Sequence, residues 1–314
     1  MKSVVEKAYA KINLYLDVLG KREDGFHEVL TIMQLITLHD EVYLELNETG
    51  KITIEIENSD FDISPEKNLA YIAAIKFFDK INIDQKNKKK IKDGLHIRIA
   101  KHIPIASGMG GGSADAAAVL RGLNRLYDLV LSKKELCAIG AEIGSDVPFC
   151  VVGGVQICKG RGDELVLDIL GIQQYYILTA AADKKISTAD AYSKLDRLYD
   201  DFKTHSVMED YGIMISDLVS GRCRHAFTLM SNIFEDIYDE NTNVGKIKEI
   251  MMNNSCKFAM LSGSGPTVYG AFPGRLDAED AQQELLQNGI DSIISSPINL
   301  VYELMDDYDK PWKK

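Results

Sequence analysis

Apolar and polar residues alternate through the start of the chain. Ile12, Leu14, Leu16 and Val18 share one parity, and Lys11, Asn13, Tyr15 and Asp17 share the other. Residues 4–19 therefore read as a strand that projects Lys11 and Asn13 to one side. Residues 30–38 are apolar enough for a buried element. Two alternating runs, 42–44 and 52–56, flank Asn47-Glu48-Thr49-Gly50, which predicts a hairpin. The period turns helical over 65–80, with Leu69, Ile72, Ala73 and Phe77 on one side. Leu95, Ile97 and Ile99 mark another strand, which leads through Pro104 into a glycine-rich loop and then a helix over 113–127. Ser132-Lys133-Lys134-Glu135 spells a capping box, opening a helix that ends near Gly144. Residues 149–157 read as an apolar strand, and Gly160-Arg161-Gly162-Asp163 as a turn. Further on come a strand at 175–181, a helix at 188–199, interrupted helix over 205–240 and a helix at 244–252. A short strand at 258–261, a second at 268–272, a helix at 277–287 and a last strand at 298–304 complete the pattern. The tail 306–314 is polar and expected to fray.

Strands and helices are thus mixed, and no internal repeat is evident. A chain of 314 residues suits one large or two ordinary domains. The natural boundary falls after the turn, giving domains 1–163 and 164–314. An apolar content of 46% with 26% charged residues is that of an ordinary globular protein. The net charge of −11 speaks against a nucleic-acid partner, while an anionic small substrate stays possible because local field decides that. Lys86, Lys88, Lys89, Lys90 and Lys92 read as a solvated loop. The five cysteines include no C-x-x-C pair, which suits a reducing compartment. No apolar run is long enough for a membrane helix, and the N-terminus is not a signal peptide, so a cytoplasmic protein without a membrane partner is expected.

The chemistry concentrates at 103–118. Gly108, Gly110, Gly111 and Gly112 precede Ser113-Ala114-Asp115-Ala116-Ala117-Ala118. Glycine admits positive φ and close backbone approach, and a helix N-terminus adds unpaired amides and partial positive charge. Strand, glycine loop and helix together describe an anion site, with a nucleotide phosphate as the natural anion. A flexible loop before an alanine-rich helix fits the same residues. Asp146, in Gly144-Ser145-Asp146-Val147-Pro148-Phe149, is either a turn residue or an acid partly buried by its apolar flanks. Phe26-His27 in a polar turn is either packing or recognition. Ser262-Gly263-Ser264-Gly265-Pro266-Thr267 is either a tight hairpin or a loop that closely approaches a ligand or another backbone. The P-loop pattern, a complete G-x-G-x-x-G, the protein-kinase signatures and a His-Glu-x-x-His metal pattern are all missing from the sequence.

Taken together, these stretches resemble a known family. Pro104, the glycine loop and Ser113-Ala114-Asp115-Ala116-Ala117 resemble the second motif of the GHMP kinases, which phosphorylate galactose, homoserine, mevalonate and phosphomevalonate. Residues 262–267 resemble the third motif. Ala10-Lys11-Ile12-Asn13-Leu14, Gly25-Phe26-His27-Glu28, Asn68-Leu69-x-Tyr71 and 144–149 are similar to one branch, the 4-diphosphocytidyl-2-C-methyl-D-erythritol kinases of the non-mevalonate isoprenoid route. The motifs run in matching order from residue 8 to about 272.

The resemblance implies an α+β, two-domain GHMP kinase fold with the active site in the cleft between the domains. The N-terminal domain would be like domain 2 of ribosomal protein S5, with a left-handed βαβ crossover, and the C-terminal one ferredoxin-like. It implies ATP with Mg2+ as cofactor, held at Pro104, Ser107, Gly108, Gly110, Gly111, Gly112 and Ser113. Asp146 matches the catalytic base and Lys11 the cation facing it. Asn13 would orient the acceptor, Phe26 and His27 would recognise cytosine, and Thr188 and Tyr192 would line the other side of that pocket. Phe26 stands where tyrosine is frequent. Gly111 and Gly112 stand where many members carry paired serines, which leaves the Mg2+ ligands unassigned. A monomer or homodimer is compatible with all of this. The competing readings are another GHMP kinase, acting for instance on mevalonate or homoserine, and a non-catalytic nucleotide sensor. A dinucleotide oxidoreductase is the remotest.

Overall fold

The computed structural model describes residues 2–57, 64–84, 94–128, 131–169, 172, 174–184, 186–199, 202, 208–238 and 242–298. The lysine cluster at 86–92 and the tail at 306–314 lie outside them. The chain forms two compact units, neither a continuous run. The first comprises Met1–Ala10, Leu38–Ile105 and Gly110–Val152, and the second Lys11–Thr37, Ala106–Met109 and Gly153–Lys314. Two long strands, β1 (Ser3–Lys21) and β2 (His27–Asn47), pair with each other and contribute to both units.

In the first unit the end of β2 runs antiparallel to β4 (Gly94–Ala100), and β4 runs parallel to β3 (Ile52–Glu57). The hairpin predicted between 42–44 and 52–56 is therefore not formed: β4 lies between the two strands. The turn itself is real, since Asn47 Oδ1 accepts the Thr49 N–H at 2.9 Å. Gly94 opens the way for β4, because a Cβ there would lie 2.3 Å from Asn47 Oδ1 and 2.5 Å from the Lys51 carbonyl. Sequence spacing shows a turn but not which later strand enters beside it.

Helix α1 (Leu69–Asp84) starts after Asn68, whose Oδ1 accepts the Ala70 N–H at 2.9 Å. Helix α2 (Gly111–Leu126) begins two residues before the predicted start. It lies hard on its neighbours at Gly122, where a Cβ would meet Leu44 Cδ1 at 2.5 Å. Val42, Leu44, Phe77, Leu95, Ile97, Val119, Leu120 and Leu123 are fully buried. Burial of that kind stabilises by about 1.5–3 kcal/mol per large side chain. Helix α3 (Lys133–Ala141) carries the predicted capping box on Ser132 and Glu135.

The segment predicted as strand over 149–157 is divided. Val147–Val152 is a short helix, α4, and only Val155–Lys159, β5, is strand. The β-branched and aromatic residues misled the reading. Pro148 sits in the first helical turn, where a missing N–H costs nothing. Gly153 and Gly154, at φ 77° and 71°, then turn the chain from helix to strand.

In the second unit β5 pairs antiparallel with β2 and with β6 (Glu164–Asp168). The remainder builds β7 (Tyr176–Ala181), α5 (Thr188–Leu198), α6 (Met208–Val219), α7 (Cys223–Leu229), α8 (Val244–Asn253), β8 (Ala259–Leu261), β9 (Thr267–Phe272), α9 (Arg275–Gln287) and β10 (Ser292–Ser295). Its sheet has the order β10-β7-β9-β8, with every pair antiparallel. Strand, helices, two strands, helix, strand in that order is the ferredoxin-like arrangement. Leu178, Ile247, Met251, Leu261, Phe272 and Leu285 form its core. The last described strand is β10, so the one predicted at 298–304 falls almost wholly outside the described residues.

Candidate functional site

The glycine loop is shaped by its backbone. Ala106, Gly108 and Gly110 have φ of 49°, 80° and 69°. In the second unit, Ser107–Met109 is pinned on three sides. The Thr267 N–H donates to the Ser107 carbonyl at 3.2 Å, Ser262 Oγ donates to the Gly108 carbonyl at 3.0 Å, and the Lys11 N–H donates to the Met109 carbonyl at 3.0 Å. The turn at 262–267 is thus a hairpin between β8 and β9 and also a close approach to another backbone, that of the loop. A Cβ on Gly108 would lie 2.2 Å from the Ser262 carbonyl oxygen. Gly108→Ala should therefore cost about 3 kcal/mol in denaturant unfolding, from overpacking plus positive φ, and weaken nucleotide binding with it. Wild-type stability in that variant would refute the close packing.

In the first unit the loop becomes α2. Its N-cap Gly110 carries no side chain to satisfy the first turn. Helix geometry leaves the amides of Gly111, Gly112 and Ser113 without an intrahelical carbonyl. Gly112 is exposed, Gly111 and Ser113 are half-buried, and Pro104 is exposed at the loop's entry. Behind this turn lies a charged triad. Lys101 Nζ binds Asp115 Oδ2 at 2.8 Å and also Asp40 Oδ2, while Asp40 Oδ1 accepts the His102 and Ile103 amides at 2.6 and 2.8 Å. Burial pushes the Asp115 carboxyl up to about 7 against the pull of the Lys101 ammonium. The triad ties the strand end to the first turn of α2, so the amides are held by a buried network instead of a flexible tether.

Each unit offers features that suit an anion: in the first, the unpaired amides that open α2, and in the second, the positive-φ backbone at Gly108 and a buried Ser107 Oγ without a hydrogen-bond partner. No group of three or more His, Cys, Asp or Glu that could hold a metal occurs among the described residues. A divalent cation would come with the phosphates and its own waters, as Mg2+ commonly does.

Lys11 and Asn13 both belong to the second unit and are buried, at 4% and 2% exposure. Lys11 Nζ donates to Asn13 Oδ1 at 2.7 Å, and the same oxygen accepts the Gly263 N–H at 2.8 Å. Asn13 Nδ2 donates to Thr31 Oγ1 at 2.8 Å. The Asn13 side chain, expected to orient an acceptor, is thus engaged in holding Lys11 and the Gly263 turn. Asn232, which the sequence reading missed, donates to the Leu261 and Gly263 carbonyls at 2.9 and 2.8 Å. Asp146 belongs to the first unit. It is half-buried directly before α4, where its carbonyl accepts the Cys150 N–H at 3.0 Å.

A second cluster lies wholly in the second unit. Gly25, at φ 85°, turns the chain so that Phe26 is 52% exposed. The Arg161 guanidinium sits over the Phe26 ring, 5.0 Å from its centroid. His27 is buried and stacks on Tyr192 at 4.6 Å and 22°. Its Nε2 lies 2.7 Å from Asp196 Oδ1. Thr188 is exposed at the start of α5, with Oγ1 3.4 Å from Ser264 Oγ. Phe26, His27, Thr188 and Tyr192 thus fall in one unit. Asp196 and Arg161 were missed, although Asp196 stands one helical turn after Tyr192, a spacing that puts both on one face.

The N-terminal model of the GHMP kinases matches residues 68–154, and their C-terminal model matches residues 217–291. The chain is 39% identical over 280 residues to a protein of Caldicellulosiruptor bescii named 4-diphosphocytidyl-2-C-methyl-D-erythritol kinase, covering 89% of this chain and 93% of that protein. It is 37% identical over 294 residues to one of the same name from Clostridium tetani, covering 93% and 99%. Among solved structures it is similar to a 4-(cytidine 5'-diphospho)-2C-methyl-D-erythritol kinase, with a TM-score of 0.65, 24% identity and coverage of 94% and 99%. It is also similar to the homoserine kinase of Cytophaga hutchinsonii, with a TM-score of 0.72, 17% identity and coverage of 95% and 96%. At such identities these two structures speak for the fold alone.

Proposed function

The chain belongs to the GHMP kinases and, within them, to the family of the 4-diphosphocytidyl-2-C-methyl-D-erythritol kinases, and we propose that it transfers the γ-phosphoryl group of ATP to the 2-hydroxyl of that cytidylated acceptor. Backbone amides from Ser107 to Ser113 would hold the triphosphate. Asp146 accepts the proton of the 2-hydroxyl as its oxygen bonds to the γ-phosphorus and the bond to the β-phosphate oxygen breaks, leaving the 2-phosphate and ADP. The Lys11 ammonium offsets the negative charge gathered there. A phosphate-borne divalent cation would neutralise charge when bound.

One observation carries the choice of acceptor: the cluster of Phe26, His27 and Tyr192. It supplies an exposed aromatic ring for stacking and, from the next residue, an imidazole for hydrogen bonding, which suits a flat base with donors and acceptors on its rim. Arg161 over Phe26 takes up one face of that ring, and the loss of a tyrosine hydroxyl removes no π surface. In a panel of acceptors, ADP release should require the cytidylated tetrol, and CDP should compete with it. Turnover of mevalonate or homoserine would overturn the reading, as would ATP binding without turnover of any acceptor.

A further inference from the structure

Asp196 touches no part of the expected reaction, yet it governs His27. Its Oδ1 faces His27 Nε2 at 2.7 Å, and Lys21 Nζ holds Oδ2 at 3.0 Å. Burial raises the Asp196 carboxyl, but the hydrogen bonds from His27 and Lys21 outweigh it and keep the group below the usual carboxylate range. An ionised carboxylate only accepts, so the proton between the two groups belongs to Nε2. In a neutral imidazole Nδ1 is then an acceptor. Nδ1 has no hydrogen-bond partner among the described residues. Tyr192 covers one ring face and Phe202 meets the ring edge-on at 6.0 Å, so packing opposes rotation to the other nitrogen.

We infer that Asp196 makes this pocket choose cytosine over uracil by fixing which nitrogen of His27 accepts. The inference rests on the cytidine reading above. The two bases differ along one edge: at C4 cytosine carries an amine and uracil a carbonyl, and at N3 cytosine has a bare nitrogen and uracil an N–H, so the choice proposed here is made by Nδ1 facing the C4 group. An accepting Nδ1 takes the amine N–H and sets its lone pair against the carbonyl. Asp196 is a positioning residue here, acting through His27.

Full-length protein labelled with 15N at histidine tests this, with CDP and UDP binding measured by calorimetry. The wild type should show a protonated Nε2, a bare Nδ1 and a preference for CDP of at least about tenfold, the worth of one hydrogen bond gained or set in conflict. Asp196→Asn brings an amide that donates to Nε2 and moves the proton to Nδ1. Its CDP/UDP ratio should fall about tenfold, to near parity, while ATP affinity is kept. Asp196→Glu restores a carboxylate and should recover part of the preference. A wild-type spectrum with the proton on Nδ1 overturns the inference, even where a variant does not fold. So does an undiminished ratio in Asp196→Asn. If neither nucleotide binds although Nε2 carries the proton, the cytidine reading has failed and takes the inference with it.

Discussion

Asp146→Asn is expected to lower kcat about 10³-fold, in the middle of the range that a positioned general base contributes. The substitution keeps size and shape but removes the group's capacity to take a proton. One contact by which Asp146 supports the fold is made by its backbone: its carbonyl accepts the Cys150 N–H at the start of α4. An asparagine keeps that bond, so Tm should stay close to that of the wild type. ADP affinity, which the proposed site assigns to backbone amides of a different segment, should stay within about twofold, since no charged nucleotide contact is removed. The measurement is single-turnover phosphoryl transfer at saturating ATP, with calorimetry of ADP beside it. A fall in kcat of less than about tenfold would remove Asp146 from the base role. A variant that lost nucleotide binding instead would make it a structural residue of the loop.

Much of this was legible in the chain. The strand parity that put Lys11 and Asn13 on one side holds along β1, and the capping box at Ser132 is present with both bonds. The positive-φ loop and the helix behind it were legible because φ and helix start are local properties, set within a few residues. The failures are non-local or depend on competition between weak signals. Strand β4 enters between β2 and β3 because Gly94 lacks a Cβ, and nothing near Asn47 announces it. The α4 segment is written in strand-forming residues, and Pro148 with the glycine pair after it overrides them. Asp196, Asn232 and Arg161 act on His27, Gly263 and Phe26 from far along the sequence. Their residue types are ordinary for helix faces and turns, so only the fold gives them a role. The Asn13 side chain is the reverse case. The motif marked it for an acceptor contact, and its carboxamide also links Lys11 to the Gly263 amide, a scaffold role that no local signal announced.

Lys11→Met should be the second severe variant, with kcat lowered about 10²–10³-fold, the usual loss when one preorganised charge stabiliser is removed. Methionine fills the volume of the lysine stem without its ammonium. The loss should not come from unfolding. Asn13 Oδ1 keeps the Gly263 N–H when Lys11 Nζ is gone, so that acceptor is not orphaned. Lys11→Arg should not restore activity. A Cβ placed on Gly263 would sit only 3.3 Å from Lys11 Nζ, and a planar guanidinium needs more room than a compact ammonium. The decisive measurement is the double variant, Lys11→Met with Asp146→Asn. If base and cation serve one transition state, the losses must be strongly non-additive, and the double variant should be slower than Asp146→Asn by less than about tenfold. Independent groups would multiply to about 10⁵-fold or more. Multiplied losses would show that the two residues do separate work, and the proposed charge partnership would fall even with both single variants inactive.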